Sequence, residues 1–482
     1  MARRAASPRC DERALCARTP LRPLWGHLGP DPKDRLGDGP PAQSHKGGGR
    51  WSLFAALATL ALASCTADHR TEISLQRFFG ECGAVYGSST DIAHAEGECG
   101  IMTALINRFE AENPDIRVDV NIVAWPGYAQ LTAQVAAGDP PDLVTMHQSM
   151  ISDYQGRGLL EPVDATLRRA GLAPADFTPA GLRGVAKAGG LYGLPWDTIG
   201  GLFHVNTALM AQAGLMRGGR PILPNSPDEL LAQARQFKAR TGKPYLVQSE
   251  VNDNATFVRN FYTYMLAQGV NMFPDGRHIR LDTPEARRII ALFRTIEREK
   301  LTTLDQDTPA AIASFMNGGG GIFPTGTWMI GPFEAEEKMP GRPLYRHYSG
   351  LPYPRLWGEP ASFVDGHAWV MPKRARSDAQ RAAIARFFAF MASHNFDWSR
   401  TGHIPAVKAV VESARFKALP HRADIAPIAA EGRQLPPYVQ RQSAIQGLIG
   451  EELASAVTGQ KSAEQALKDA ERRVDELLGE IL

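Results

Sequence analysis

The sequence predicts an α/β protein whose chain is shared between two lobes. At 482 residues the chain exceeds the roughly 250–300 residues at which a single hydrophobic core stops growing. Apolar residues Ile116, Val118, Val120 and Ile122 alternate with Arg117, Asp119 and Asn121, which marks a strand. Before it, Ile101, Met102, Leu105, Ile106 and Phe109 recur at helical spacing, and Ile73–Phe79 reads as another strand. Strand, helix and strand in that order favour a largely parallel sheet covered by helices.

The elements follow in sequence. The helix from Ile101 runs to about Glu112, where Asn113-Pro114 stops it. Tyr128–Ala137 reads as helical, Asp142–Met146 as a short buried strand, and Ile151–Gly158 as a turn of helix. Gly190–Trp196 and Leu202–Val205 are strand-like on either side of a Gly200-Gly201 break. Helices are expected over Pro227–Thr241, Ala255–Gln268, Pro284–Lys300, Pro309–Met316 and Ser377–Ser393. Ser462-Ala463-Glu464-Gln465 has capping-box spacing, and Leu467, Ala470, Val474, Leu477 and Leu478 give the last helix one apolar face.

The front of the chain has another character. Residues 1–45 are rich in Arg, Pro and Gly without apolar periodicity, so they read as a disordered leader or a start placed too far upstream. Residues 46–64 read as a secretory signal: Lys46 and Arg50 precede the short apolar run Leu53–Ala63, too brief for the about 20 residues that span a bilayer. Leu62-Ala63-Ser64-Cys65 resembles a bacterial lipobox, whose cysteine becomes the lipidated first residue. Cys10 and Cys16 precede the signal, which leaves Cys82 and Cys99 as an even pair in an oxidising compartment. Pairing them would close a Gly/Ser-rich loop and stabilise it by roughly 3 kcal/mol in the chain-entropy model; the alternative is two free thiols. With only His94 between them they make a poor metal site, and no metal is expected.

The overall formal charge is +2, and ten basic against five acidic residues in the first 50 leave the rest mildly acidic. No long basic stripe appears, so nucleic acid is not an expected partner. Enzyme signatures are absent too. Gly318–Gly321 with Gly326-Thr327 is a superficial phosphate loop lacking the lysine before Thr, and no G-x-S-x-G, H-E-x-x-H or C-x-x-C occurs. We expect a non-enzyme without cofactors.

Four stretches in order resemble a known family. They are Ala136-Ala137-Gly138-Asp139-Pro140-Pro141-Asp142-Leu143-Val144; Gly190-Leu191-Tyr192-Gly193-Leu194-Pro195-Trp196 with His204-Val205-Asn206 and Ala213-Gly214-Leu215; Ser314-Phe315-Met316-Asn317-Gly318 through Gly326-Thr327-Trp328; and Gly402-His403-Ile404-Pro405 with Ala466-Leu467-Lys468-Asp469-Ala470. Over roughly residues 110–475 they resemble the extracellular solute-binding proteins of ABC transporters, family 1, of the maltose-binding type. The resemblance implies a periplasmic-binding-protein type II fold: two α/β lobes, a multi-strand hinge and a ligand cleft between the lobes. The chain would cross near Pro195, Asp365 and Pro405, with residues 70–195 and 366–405 in lobe 1 and 196–365 and 406–482 in lobe 2. It also implies a monomer in the periplasm or at the cell surface, anchored by lipid on Cys65, that closes on its solute and delivers it to permease subunits with an associated ATPase.

Sugar capture needs flat aromatic faces against C–H faces and planar polar groups that chelate adjacent hydroxyls. The turns expected to face the cleft offer Glu81, Trp125, Tyr128, His147, Gln148, Trp196, Asp197, Trp328, Asp365, Trp369 and Arg400 as ligand-binding candidates. Where the maltodextrin binders of the family carry an aromatic and an acidic residue, this chain has Met146-His147-Gln148-Ser149, and Ser443-Ala444-Ile445 replaces a further aromatic. A mono- or disaccharide therefore fits better than a long maltodextrin. A polyol phosphate such as glycerol phosphate is the runner-up, and a glycan-acting surface enzyme the more distant alternative.

Overall fold

The computed structural model describes residues 69–249 and 255–481. The leader, the signal stretch and Cys65 lie outside the described residues. Two sheets organise the rest. The first contains β1 (Thr71–Arg77), β2 (Ile116–Ile122), β3 (Leu143–His147), β4 (Leu194–Pro195) and β9 (His367–Val370), in the order β2-β1-β3-β9-β4. Strand β1 pairs in parallel with β2 and β3, while β9 runs antiparallel to β3 and β4. The second sheet is built on one long strand, β5 (Asp197–Asn206), flanked by β6 (Ile322–Gly326) and β7 (Tyr348–Pro352), all antiparallel. The lower half of β5 also pairs with β8 (Val364–Asp365) and β10 (Ile404–Pro405).

Each sheet has its own core. Helices Gly97–Glu112 and Asp378–Ser393 cover the first, where Phe109 meets Phe387 edge-on at 5.2 Å. Helices Pro227–Thr241, Ala255–Ala267, Pro284–Arg298, Gln442–Val457 and Ala463–Gly479 cover the second. Helix starts follow their caps: Ser377 and Gln380 form a capping box, and the Ser462 hydroxyl accepts from the Gln465 amide at 3.1 Å. The helix over 442–457 went unread, because its apolar positions are interrupted by Gln446, Glu451 and Glu452. Among the described residues no helix is long and apolar enough to cross a membrane. Cys82 and Cys99 are bonded, with Cα atoms 6.1 Å apart, and tie the loop after β1 to the start of helix Gly97–Glu112.

Gly200-Gly201 does not break β5, contrary to the sequence expectation. These positions buy close approach instead: a Cβ on Gly201 would lie 2.6 Å from the Tyr353 ring, and one on Gly200 would lie 2.9 Å from Ile428. The chain passes between the two sheets from Pro195 to Asp197 and from Asp365 to His367, and it returns to β5 at Ile404. These passages bond to one another. The Trp196 amide donates to the His367 carbonyl at 2.9 Å, and the Ala406 amide to the Trp196 carbonyl at 3.2 Å.

A buried guanidinium latches the first sheet. The Arg376 side chain is fully enclosed; it donates to Asp142 Oδ1 at 3.1 Å, Glu161 Oε1 at 3.0 Å and the Asp142 and Pro372 carbonyls. Asp142 in turn accepts from the Ser74 amide and hydroxyl on β1. Removing one partner of such a cluster strands a buried charge at a cost of about 3 kcal/mol or more. Arg376→Met should therefore lower the urea midpoint of unfolding by that equivalent with an unchanged slope; an unshifted midpoint would contradict the latch.

Candidate functional site

A narrow pocket opens where the two sheets meet, with a cavity volume of about 20 Å³, room for about one water. Ile199, Gly200 and Gly201 of β5 form its floor, with Thr325 and Gly326 from the end of β6 beside them. Helix Ala255–Ala267 contributes Arg259, Asn260 and Thr263, while Trp328, Phe363 and Asp365 complete the lining.

Trp328 owes its position to Gly326. A Cβ at Gly326 would fall 1.6 Å from the indole Cζ3, so only glycine lets the ring fold back over its own turn. The Gly326 carbonyl is held from below by His204, whose Nε2 donates to it at 3.0 Å and whose Nδ1 accepts from the Tyr348 hydroxyl at 2.8 Å. Burial drives the pKa of His204 down to about 3, so the imidazole is neutral there.

Asp365 sits at the passage between β8 and β9. Its Oδ1 accepts from the Ser149 and Gly366 amides at 3.0 and 2.9 Å, and its Oδ2 from the Ser149 hydroxyl at 2.7 Å. Burial would raise its pKa, but His147, Arg259 and Ser149 outweigh burial and keep the carboxylate charged. Arg259 Nε is enclosed and meets no hydrogen-bond acceptor among the described residues. Asn260 Oδ1 accepts from the Tyr353 hydroxyl, which fixes its amide. Thr263 is spent within the protein, donating to the Arg259 carbonyl and accepting from the Phe363 amide. Nearby, burial lowers Lys187 to about 8 while Asp365 draws it back up.

Trp125 is 66% exposed and donates from Nε1 to His147 Nε2 at 3.2 Å. That bond places the His147 proton on Nδ1, 3.5 Å from Asp365 Oδ2. His147 stacks on Phe78 at 5.6 Å, and its amide donates to the Tyr128 hydroxyl at 2.9 Å. Of the sequence candidates, Trp328 and Asp365 line the pocket, His147 lies beside Asp365, and Trp125 and Tyr128 contact His147.

Other candidates lie elsewhere. Trp196 and Trp369 are 1% and 0% exposed, packed 6.5 Å apart within the core of the first sheet; neither face is open to a solute. Gln148 is buried and donates to the Asp197 and His367 carbonyls, bracing the passages. Asp197 is enclosed and accepts from the His367 amide and Nδ1 and from Trp398 Nε1, at 2.7–2.8 Å. Arg400 spends its guanidinium on the carbonyls of Ile92, Ala93 and Ala95. Glu81 is exposed and accepts from the Gly83 amide, closing a turn in the disulfide loop.

Sequence reading missed Arg259 and Asn260. Their signal was available: two adjacent polar residues inside Ala255–Ala267, a helix otherwise crowded with Phe257, Val258, Phe261, Tyr262, Tyr264, Met265 and Leu266.

The model of a family described as bacterial extracellular solute-binding protein matches residues 104–424. A binding protein of Brucella abortus (strain 2308) is 26% identical over 251 residues, covering 52% of this chain; the chain spans about half of that relative's length, 55%. The sn-glycerol-3-phosphate-binding periplasmic protein UgpB of Salmonella typhimurium (strain LT2) is 24% identical over 413 residues, 80% of this chain and 90% of UgpB. Among solved structures, the sugar-binding protein MalE of Xanthomonas citri superposes with a TM-score of 0.70 at 17% identity, covering 85% of this chain and 98% of MalE. The cyclic α-maltosyl-1,6-maltose binding protein of Arthrobacter globiformis gives 0.69 at 20% identity, with 85% and 100% covered. At these identities the likeness establishes a shared fold, the periplasmic binding-protein architecture.

Proposed function

The chain belongs to the bacterial extracellular solute-binding proteins, and from that membership we propose that it captures a small carbohydrate, a mono- or disaccharide, outside the cytoplasm for an ABC importer. Residues 70–195 with 366–405 and residues 196–365 with 406–482 form the two lobes, which close on the solute and present it to permease subunits driven by an ATPase. The observation that carries this reading is the Trp328 indole folded over Gly326, facing a pocket that also holds the Asp365 carboxylate and the Asn260 amide. The indole supplies an apolar face, and the planar groups bond hydroxyls. Closure is stabilised only by contacts the solute makes in the closed form.

A second reading, a polyol phosphate, draws on the enclosed Arg259 Nε, which has no acceptor among the described residues, since a guanidinium fork fits a phosphate. A thermal-stability screen of sugars, polyols and their phosphates tests both. The true solute at a hundredfold excess over its Kd should contribute about 2.7 kcal/mol. A shift with neutral sugars supports the first reading, and one confined to phosphates that Arg259→Met abolishes supports the second. A panel without any shift would overturn both.

The lipid anchor belongs to the same proposal. Cys65→Ser should move the exported protein from the membrane to the soluble fraction, because multiple acyl chains hold firmly where one does not. Unchanged membrane retention would remove the anchor from the account.

A further inference from the structure

The described residues leave two large aromatic rings exposed, Trp125 and Tyr438. Tyr438 is 47% exposed, yet its ring is held in place, because its hydroxyl donates to the Phe273 carbonyl at 2.8 Å. The ring stands in a groove of about 460 Å³, between the loop at 275–277 and the end of helix Ala463–Gly479. Leu478 and Ile481 give the groove an apolar lining, and Leu478 belongs to the core beneath it. A volume in this range suits a small molecule.

Two planar polar groups stand beside the ring. The Arg277 guanidinium and the Gln440 amide line the groove, and neither has a hydrogen-bond partner among the described residues. Asp275 pins the loop that carries Arg277, accepting from the Arg277 and His278 amides at 2.8 and 2.9 Å. Gly276 passes against the ring, where an added Cβ would lie 3.7 Å from Cδ2. The segment bearing Tyr438 and Gln440 crosses helix Gln148–Gly156: the Ser152 hydroxyl donates to the Pro437 carbonyl at 3.0 Å, and the Arg441 amide to Asp153 Oδ1 at 2.5 Å. Gln440 meets the last residue of that helix, since a Cβ on Gly156 would lie 2.8 Å from its Nε2. Ser149, which holds Asp365 of the pocket, is in the first turn. Groove and pocket therefore lie at opposite ends of one helix, about 13 Å long.

We propose that this groove is a second carbohydrate site, separate from the pocket, that takes one pyranose ring. The sugar lays a C–H face on the Tyr438 ring, while Arg277 and Gln440 bond adjacent hydroxyls. The bond to Phe273 keeps the tyrosine face presented, so little side-chain order is lost on binding. The site is open to solvent and its polar partners are few, which sets a modest affinity, with a Kd of about 1 mM. A polyol without a ring has the hydroxyls but no face to stack. None of this depends on what the pocket takes.

Full-length protein with isotope-labelled Leu and Ile methyl groups, titrated with methyl β-glucoside, should show saturable shifts of the Leu478 and Ile481 methyl resonances in NMR spectra. Glycerol should leave both in place. Tyr438→Ala should weaken the response by about 10-fold, the scale of one aromatic contact, and Arg277→Ala by about 5-fold, the scale of one hydrogen bond. Arg277 is exposed, so its variant remains informative if Tyr438→Ala disturbs the loop. Trp328→Ala should respond at these two methyl groups as the parent does, which separates the outcome from that of the pocket. No shift in the parent would overturn the site. So would full response in both groove variants, an equal response to glycerol, or shifts that Trp328→Ala removes, which would assign them to the pocket.

Discussion

Trp328→Ala should weaken solute binding by about 30-fold or more, the equivalent of 2 kcal/mol or greater that marks an anchoring residue, while the melting temperature without solute changes little. The indole is partly open and packs only on the margin of a small apolar cluster, so truncation empties a wall of the pocket rather than the centre of a core. Gly326→Ala supplies an independent route to the same result. It keeps every indole atom but drives a methyl group to within 1.6 Å of Cζ3, forcing the ring off its seat. Trp369→Phe is the counterpart: its ring is wholly enclosed among core residues, so stability should fall and affinity should hold. Titration calorimetry with the solute identified by the screen checks all three. Unchanged affinity in Trp328→Ala would remove the ring from the pocket's function.

Acid should destabilise the fold through His204, which supports the same turn. The imidazole is fully buried, stacked 5.9 Å from Tyr348 and edge-on to Phe333 at 5.1 Å, and His421 adds an opposing charge nearby. Its folded pKa of about 3 lies below the ordinary 6.5. The unfolded chain therefore binds the extra proton first as pH falls. The neutral ring's stabilisation is fully present above about pH 6.5 and is lost as pH falls through the window toward 3, by up to about 1.4 kcal/mol per pH unit. His204→Gln keeps a donor and an acceptor but cannot titrate. Denaturation midpoints measured from pH 7 to pH 4 should fall more steeply for the parent than for the variant; parallel slopes would remove His204 as the source. Solute affinity of the folded protein should hold over the same range, because the folded ring stays neutral until the pH nears 3 and keeps its bond to Gly326.

The long helices were legible because periodicity and caps coincide: Ser377 and Ser462 stand at their starts, and Asn113-Pro114 ends another. The first sheet was legible from Ile116–Ile122, whose alternation matches a strand with one covered face. The site was only half legible. Trp328 and Asp365 reach the pocket, but Trp196 and Trp369 do not, because a strand-end tryptophan looks the same in sequence whichever side its neighbours cover. Trp369 lies opposite Thr145 and Leu194 within β9, enclosed on both faces. Arg400 and Glu81 were polar residues near the right turns, yet nearby backbone groups claim them. Arg259 was hidden by long range, since the acceptor it lacks is a property of the folded pocket.

The indole that lines the pocket also makes the molecule its own optical gauge. Trp196, Trp369 and Trp398 are sealed among other rings, so their emission has no reason to change colour when a guest arrives. Trp125 faces water and leans on His147 through its N–H, and Trp328 borders the cavity. A guest in the pocket would strip solvent from the Trp328 ring. Fluorescence can therefore report occupancy without a dye, as the part of the emission change that Trp328→Phe removes.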